Sequence, residues 1–156
     1  ALPQSTQPMR GQYSTPVPPA RRRILIVDDH RLVRRGLTAL IDNEPDLVVC
    51  AAVATQHEGL AAILASRPDL VIADLSLGND DGLDLVRDIR SAHADLPVLV
   101  LTVHDASDCV EQAFNAGASG YVGKQEMGES LLIAIRTVLG GERYVSARIK
   151  AALAST

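Results

Sequence analysis

The sequence has few aromatic residues, few cysteines and no long apolar run. Only four of its 156 residues are aromatic, with no Trp, yet 47% are hydrophobic, which is enough to form the core of one domain. The two cysteines, Cys50 and Cys109, form neither a disulfide framework nor a CxxC pair, as is typical of a reducing cytoplasm. No apolar run approaches the ~18–20 residues that cross a bilayer. These absences exclude a disulfide-stapled or membrane-spanning protein and predict a cytoplasmic domain.

Acidic residues are absent from the first 23 positions. Residues 1–20 also hold five of the eight prolines, so we predict a disordered arm over residues 1–22. The remainder has 11 Lys and Arg against 19 Asp and Glu, a net charge of −8. A field of that sign disfavours direct contact between this part of the chain and a nucleic-acid backbone.

From residue 24, short continuous apolar runs alternate with helical stripes. The runs predict strands buried on both faces, as in a parallel sheet: residues 24–27, 47–53, 70–73, 98–101 and 120–122. Between them, apolar residues recur at i, i+4, i+7 and i+8, as in Val33, Leu37, Leu40 and Ile41. We predict a (βα)5 domain over residues 23–141 with a doubly wound five-stranded sheet, followed by a tail or the start of a linker helix over residues 142–156.

Polar residues stand where four of these strands end. Asp28 and Asp29 follow the first strand, Asp74 the third, Thr102 the fourth and Lys124 the fifth. Because ligand chemistry in doubly wound sheets gathers at the carboxyl ends of the strands, we expect these side chains to converge.

Three carboxylates held close together repel one another and usually need a cation. Oxygen ligands suit Mg²⁺, and no His/Cys set has zinc-like spacing, since the four histidines are scattered: His30, His57, His93 and His104. Of these, only His30 and His104 lie near the predicted rim of the sheet, the edge formed by the carboxyl ends of the strands. Lys124 and Thr102 are suited to phosphoryl oxygens, and one aspartate is available as a nucleophile. The residues therefore predict a site for Mg²⁺ and a phosphoryl group.

With these residues the sequence resembles the receiver domain of two-component response regulators. The likeness rests on Asp28-Asp29 after ILIV, Asp74 in DLSLGNDDGLDL, Thr102 in VLVLT and Lys124 in AGASGYVGK, at typical spacings of 45, 28 and 22 residues. It covers about residues 23–141, and VDDHRLVRRGLTALI is similar to the NarL/FixJ type. The resemblance implies the flavodoxin-like, CheY-like fold with strand order 2-1-3-4-5.

The resemblance also implies a role for each matching residue. Asp74 is expected to accept the phosphoryl group, with Lys124 pairing to it. Asp28, Asp29, Asp74 and the backbone carbonyl of Ser76 are expected to hold Mg²⁺. Thr102 and Tyr121 are the expected switch residues, and Ser76 and His104 are our candidates for tuning the lifetime of the phosphate.

A sensor histidine kinase is the expected partner, and activation is expected to change the face formed by the fourth helix, fifth strand and fifth helix, with homodimerisation. NarL/FixJ-type regulators usually continue into a helix-turn-helix domain, so control of transcription through DNA is expected from a part absent here. The alternative is a single-domain or phosphorylation-independent receiver that acts as a protein-interaction module. We expect no enzyme beyond self-phosphorylation from small donors and self-dephosphorylation, and no membrane contact.

Two other classes fit the residues less well. A phosphatase of the haloacid-dehalogenase type would carry a DxD pattern after the first strand, where this sequence reads DDH. A flavin or nucleotide module would need a Gly- or Ser/Thr-rich loop at the same place. The carboxylates there instead repel phosphate unless a metal is bound.

Overall fold

The computed structural model describes residues 20–77, 80–103, 107–126 and 128–154. Six strands form its main sheet: β1 (Arg22–Val27), β2 (Leu47–Val53), β3 (Leu70–Asp74), β4 (Val98–Thr102), β5 (Gly120–Gly123) and β6 (Tyr144–Val145). Within the described ranges, six α-helices connect or follow them: α1 (Arg31–Asp42), α2 (Gln56–Ser66), α3 (Gly82–Ala92), α4 (Ser107–Ala116), α5 (Glu129–Leu139) and α6 (Ala147–Ala154). After β3, Ser76–Leu77 and Asp80–Asp81 form a short antiparallel ribbon.

The sheet is entirely parallel, in the order β2-β1-β3-β4-β5-β6. The predicted order 2-1-3-4-5 is therefore confirmed, but the predicted count of five strands is wrong. The sixth strand is only two residues long, and it pairs Tyr144 with Gly120 and Val145 with Tyr121. A strand this short carries no periodic signal, so the apolar pattern did not reveal it.

Successive residues of each central strand enter two different cores. Leu25 and Val27 pack on the face covered by α2, α3 and α4, whereas Ile24 and Ile26 pack on the face covered by α1 and α5. Both faces are buried, which explains why the strands read as continuous apolar runs. Cys50 and Cys109 are free thiols that pack against the first of these cores.

The C-terminal segment docks on the outer edge of β5. The backbone N–H of Tyr144 donates to the carbonyl of Ser119 at 3.1 Å, and that of Ser146 donates to Tyr121 at 3.3 Å. Helix α6 then buries Ile149 completely, in the same core as Tyr121. The segment after residue 141, predicted as a tail or the start of a linker helix, thus packs on the body of the domain through β6 and α6.

None of the helices in the described ranges is both long enough and apolar enough to cross a membrane.

Candidate phosphoacceptor and metal site

The first two carboxylates follow β1 directly. The N–H of Asp28 donates to the carbonyl of Val53 at 3.0 Å, which fixes the backbone where β1 ends beside β2. The Asp28 side chain is buried, whereas that of Asp29 is 30% exposed. The pair thus places one carboxylate inside the rim and one at its opening.

Asp74 is the last residue of β3 and is also buried. Its Oδ1 accepts a hydrogen bond of 3.1 Å from the backbone N–H of Ser76, so this oxygen has a fixed direction. Gly82, the first residue of α3, donates its N–H to the carbonyl of Leu75 at 3.0 Å. A Cβ at Gly82 would meet the carbonyl oxygen of Asp74 and come within 2.5 Å of the Leu75 Cα. This requirement for glycine, in the DDG of the segment DLSLGNDDGLDL, has no signature in the apolar pattern and was not predicted.

Lys124 brings a single positive charge to two buried carboxylates. It follows β5 directly, its side chain is 12% exposed, and its Nζ lies 3.1 Å from Asp74 Oδ2 and 3.0 Å from Asp28 Oδ2. Asp28 Oδ2 accepts no hydrogen bond from the described residues, so its contact with Lys124 is an ion pair without hydrogen-bond alignment. The predicted convergence of Asp28, Asp29, Asp74 and Lys124 is observed.

The electrostatic environment favours an added cation. Burial raises the pKa of the Asp74 carboxyl above its ordinary value; the N–H of Ser76 opposes this shift, and the charge of Asp28 adds to it. Burial opposes the charge on Lys124, but its contacts with Asp28 and Asp74 outweigh that effect and raise the pKa of Lys124. The ammonium of Lys124 therefore does not fully offset the burial of the Asp74 carboxylate and its repulsion by Asp28.

Thr102 lies on β4, the strand beside that of Asp74, and Tyr121 lies on β5, the next strand in the sheet. Leu101 is the register partner of Asp74, and Thr102, one residue further on, lies opposite Gly123, directly before Lys124. Thr102 is therefore at the predicted rim, and it is fully buried. The Tyr121 ring is fully buried as well, within the core that α6 helps to cover.

His30 is a site residue to which the sequence analysis gave no role. Its Nδ1 lies 3.0 Å from Asp28 Oδ1, 3.1 Å from Asp29 Oδ1 and 3.7 Å from Asp74 Oδ2. The sequence signal for a role in the site is the position of His30 directly after the acidic pair, but a histidine at that position is equally typical of the exposed start of a helix. Of the two candidate tuning residues, Ser76 is exposed, and His104 lies outside the described residues.

The donor set fits a divalent cation. Asp28, Asp29 and Asp74 each offer a carboxylate oxygen, and His30 a ring nitrogen, with all four atoms within 4.8 Å of one another. Three carboxylates against one lysine leave an excess of negative charge, and Mg²⁺ prefers such oxygen ligands. The domain is thus a parallel α/β fold whose sheet rim combines a buried aspartate, a lysine and a site suited to a metal.

The comparisons with known proteins identify this class. The family model of the response regulator receiver domain matches residues 24–136 of this sequence, so the chain belongs to the family of response regulator receiver domains. It is 36% identical over 132 residues to the transcriptional regulatory protein UhpA of Salmonella typhimurium, a match that covers 85% of this chain and 66% of UhpA. It is 37% identical over 131 residues to the DNA-binding transcriptional activator DevR/DosR of Mycobacterium tuberculosis, covering 84% of this chain and 60% of that protein.

Among solved structures, a two-component response regulator of the LuxR family from Aurantimonas has a TM-score of 0.83 and 36% identity to this chain, covering 87% of this chain and 97% of that one. The relatives are response regulators of the NarL/LuxR family, as the sequence predicted. The chain spans about three fifths to two thirds of the length of the two curated relatives.

Proposed function

We propose that this receiver domain accepts a phosphoryl group on Asp74 from the phosphohistidine of a partner sensor histidine kinase. The contact that supports this most is the one between buried Asp74 Oδ2 and Lys124 Nζ, at 3.1 Å. In this arrangement the carboxylate of Asp74 supplies a nucleophile, and the ammonium of Lys124 supplies a cation that can pair with phosphoryl oxygens.

The two oxygens of Asp74 have different neighbours, and this favours attack through one of them. The N–H of Ser76 holds Oδ1, so Oδ2 is the oxygen that we expect to bond to phosphorus. As this O–P bond forms, the P–N bond of the phosphohistidine breaks, and the imidazole nitrogen keeps the electron pair. Lys124 can then pair with an oxygen of the transferred group, where negative charge is concentrated.

Asp28, Asp29, Asp74 and the backbone carbonyl of Ser76 are the groups that would hold Mg²⁺. When bound, Mg²⁺ neutralises charge on phosphoryl oxygens and carboxylates. The chain's own part is to keep Asp28 and Asp74 buried and oriented.

Signalling would follow from the residues next to the acceptor. We expect the Thr102 hydroxyl to bond to the new phosphoryl group and Tyr121 to couple this change to the α4-β5-α5 face. Segment 144–154 docks on β5 beside Tyr121, so it forms part of the face that would change. Shifting the equilibrium between the two conformations of the domain from 1:99 to 99:1 needs ~5.5 kcal/mol of differential stabilisation. Ser76 and His104 remain our candidates for tuning the phosphate lifetime.

The output would be control of transcription. The relatives named as transcriptional regulators support this assignment. We propose that DNA is bound by a helix-turn-helix domain outside the present chain and that the domain forms homodimers on activation. We propose a cytoplasmic signalling domain and no catalytic turnover beyond self-phosphorylation and self-dephosphorylation.

Intact-mass measurement after incubation with acetyl phosphate and Mg²⁺ tests the proposal. The wild type should gain one phosphoryl group, and Asp74→Asn should gain none. Asp84→Asn is the matched control, since Asp84 lies on α3, is exposed and pairs with Arg87; it should label like the wild type. Equal labelling of Asp74→Asn would refute the assignment, and no labelling of the wild type would favour an interaction module that works without phosphate.

A further inference from the structure

His30 places a nitrogen atom among the carboxylates of the site. Its Nδ1 lies within 3.1 Å of oxygens from both Asp28 and Asp29, and it lies 3.2 Å from Lys124 Nζ. The ring is therefore directed into the acidic cluster, although 59% of the side chain is exposed.

The backbone favours this position of the ring. The N–H of His30 donates to Asp28 Oδ1 at 2.8 Å, which closes a tight turn between the acidic pair and α1. His30 is the N-cap residue of α1, but its side chain makes no hydrogen bond to the helix. The imidazole is thus tied to the carboxylates by two short contacts and is not engaged in capping.

A nitrogen ligand changes which cations a carboxylate site prefers. Mg²⁺ takes oxygen ligands almost exclusively, whereas imidazole suits Ni²⁺, Zn²⁺ and similar transition metals. Nδ1 lies beside carboxylate oxygens of Asp28 and Asp29, so a cation held by these oxygens would be within reach of the ring nitrogen. We propose that His30 is a ligand that makes this site bind transition cations such as Co²⁺ more tightly than carboxylates alone would. The proposal rests on the proposed function to the extent that the same three aspartates hold the ion.

Titration with Co²⁺ tests the proposal, because the visible absorption of bound Co²⁺ reports its ligands without any phosphorylation. Three proteins are compared: the wild type, His30→Asn and the matched control His93→Asn. His93 follows α3, at the opposite end of the strands from Asp74, so its replacement removes one imidazole outside the site. Mg²⁺ affinity is measured on the same proteins by calorimetry.

We expect His30→Asn to bind Co²⁺ at least about tenfold more weakly and with an altered spectrum, since even partners behind metal ligands contribute roughly 10–100-fold. Its Mg²⁺ affinity should be unchanged, and His93→Asn should match the wild type for both ions. An unchanged Co²⁺ affinity in His30→Asn would overturn the proposal. So would an equal loss of Co²⁺ and Mg²⁺ binding, because His30 would then only position the carboxylates.

The result is separable from that of the phosphorylation test. Wild-type protein that binds Co²⁺ through His30 but takes no phosphoryl group from acetyl phosphate with Mg²⁺ would refute the proposed function and leave this inference standing. Labelling on Asp74 together with Co²⁺ binding that does not depend on His30 would refute this inference and leave the proposed function standing.

Discussion

Lys124 Nζ lies 3.1 Å from Asp74 Oδ2, although 50 positions separate the two residues in the chain. The same ammonium lies 3.0 Å from Asp28 Oδ2, so one cation serves two buried carboxylates. The charge balance of the metal-free site therefore depends on this lysine.

Replacing Lys124 with Met should lower the free energy of unfolding in EDTA by about 1–3 kcal/mol, because it leaves two buried carboxylates without their cation. Urea denaturation measures this loss. In an Asp74→Asn background the same replacement should cost less, since one of the two charges is already gone. Equal costs in both backgrounds would contradict the shared ion pair.

Asp74→Asn should make the metal-free protein more stable at neutral pH. The folded state raises the pKa of the Asp74 carboxyl, so it binds the proton more tightly than the unfolded state does. Wild-type stability is therefore lost as pH rises from the ordinary value of about 3.9 through the raised pKa. Thermal melts in EDTA from pH 4 to pH 7 should show the gap between variant and wild type widening with pH. A gap that is constant, or that widens toward low pH, would show that folding does not raise the pKa of the Asp74 carboxyl.

Ile149→Ala should loosen the C-terminal segment. Ile149 is fully buried in the core that contains Tyr121, and removing such a side chain costs about 2–5 kcal/mol when the structure does not adjust. Hydrogen exchange should speed up in α6, β6 and the outer edge of β5. Lys150→Ala, at the exposed neighbouring position, is the control. Identical exchange in the two variants would show that α6 does not depend on this contact.

Gly82→Ala should displace the end of β3. An added Cβ would meet the backbone of Asp74 and Leu75, which cannot yield without moving Asp74. We expect lower stability and slower labelling by acetyl phosphate. Gly36→Ala is the control, because a Cβ in that helix meets nothing within 4 Å and Ala is favoured over Gly by about 0.8–1.0 kcal/mol. Loss of stability in both variants would point to a general effect of the added methyl group.

The sequence determined the architecture and most of the site, because both depend on regular rules. Strands buried on two faces must be apolar throughout, so Ile24–Val27 and its counterparts were visible as runs. Parallel strands end at one rim, so Asp28, Asp74 and Lys124 were expected to meet, and they do.

Tertiary structure decided what has no periodic or local signature. The pairing of Tyr144–Val145 with β5 follows from an edge that was free to accept hydrogen bonds, not from a pattern in two residues. Gly82 is required because a helix start approaches a strand end, which only the packed chain reveals. His30 enters the site through distances to Asp29 and Asp74 that depend on how the turn after β1 closes. Composition and spacing specify which groups reach the rim, but only the packed backbone sets the ångström-scale distances between those groups.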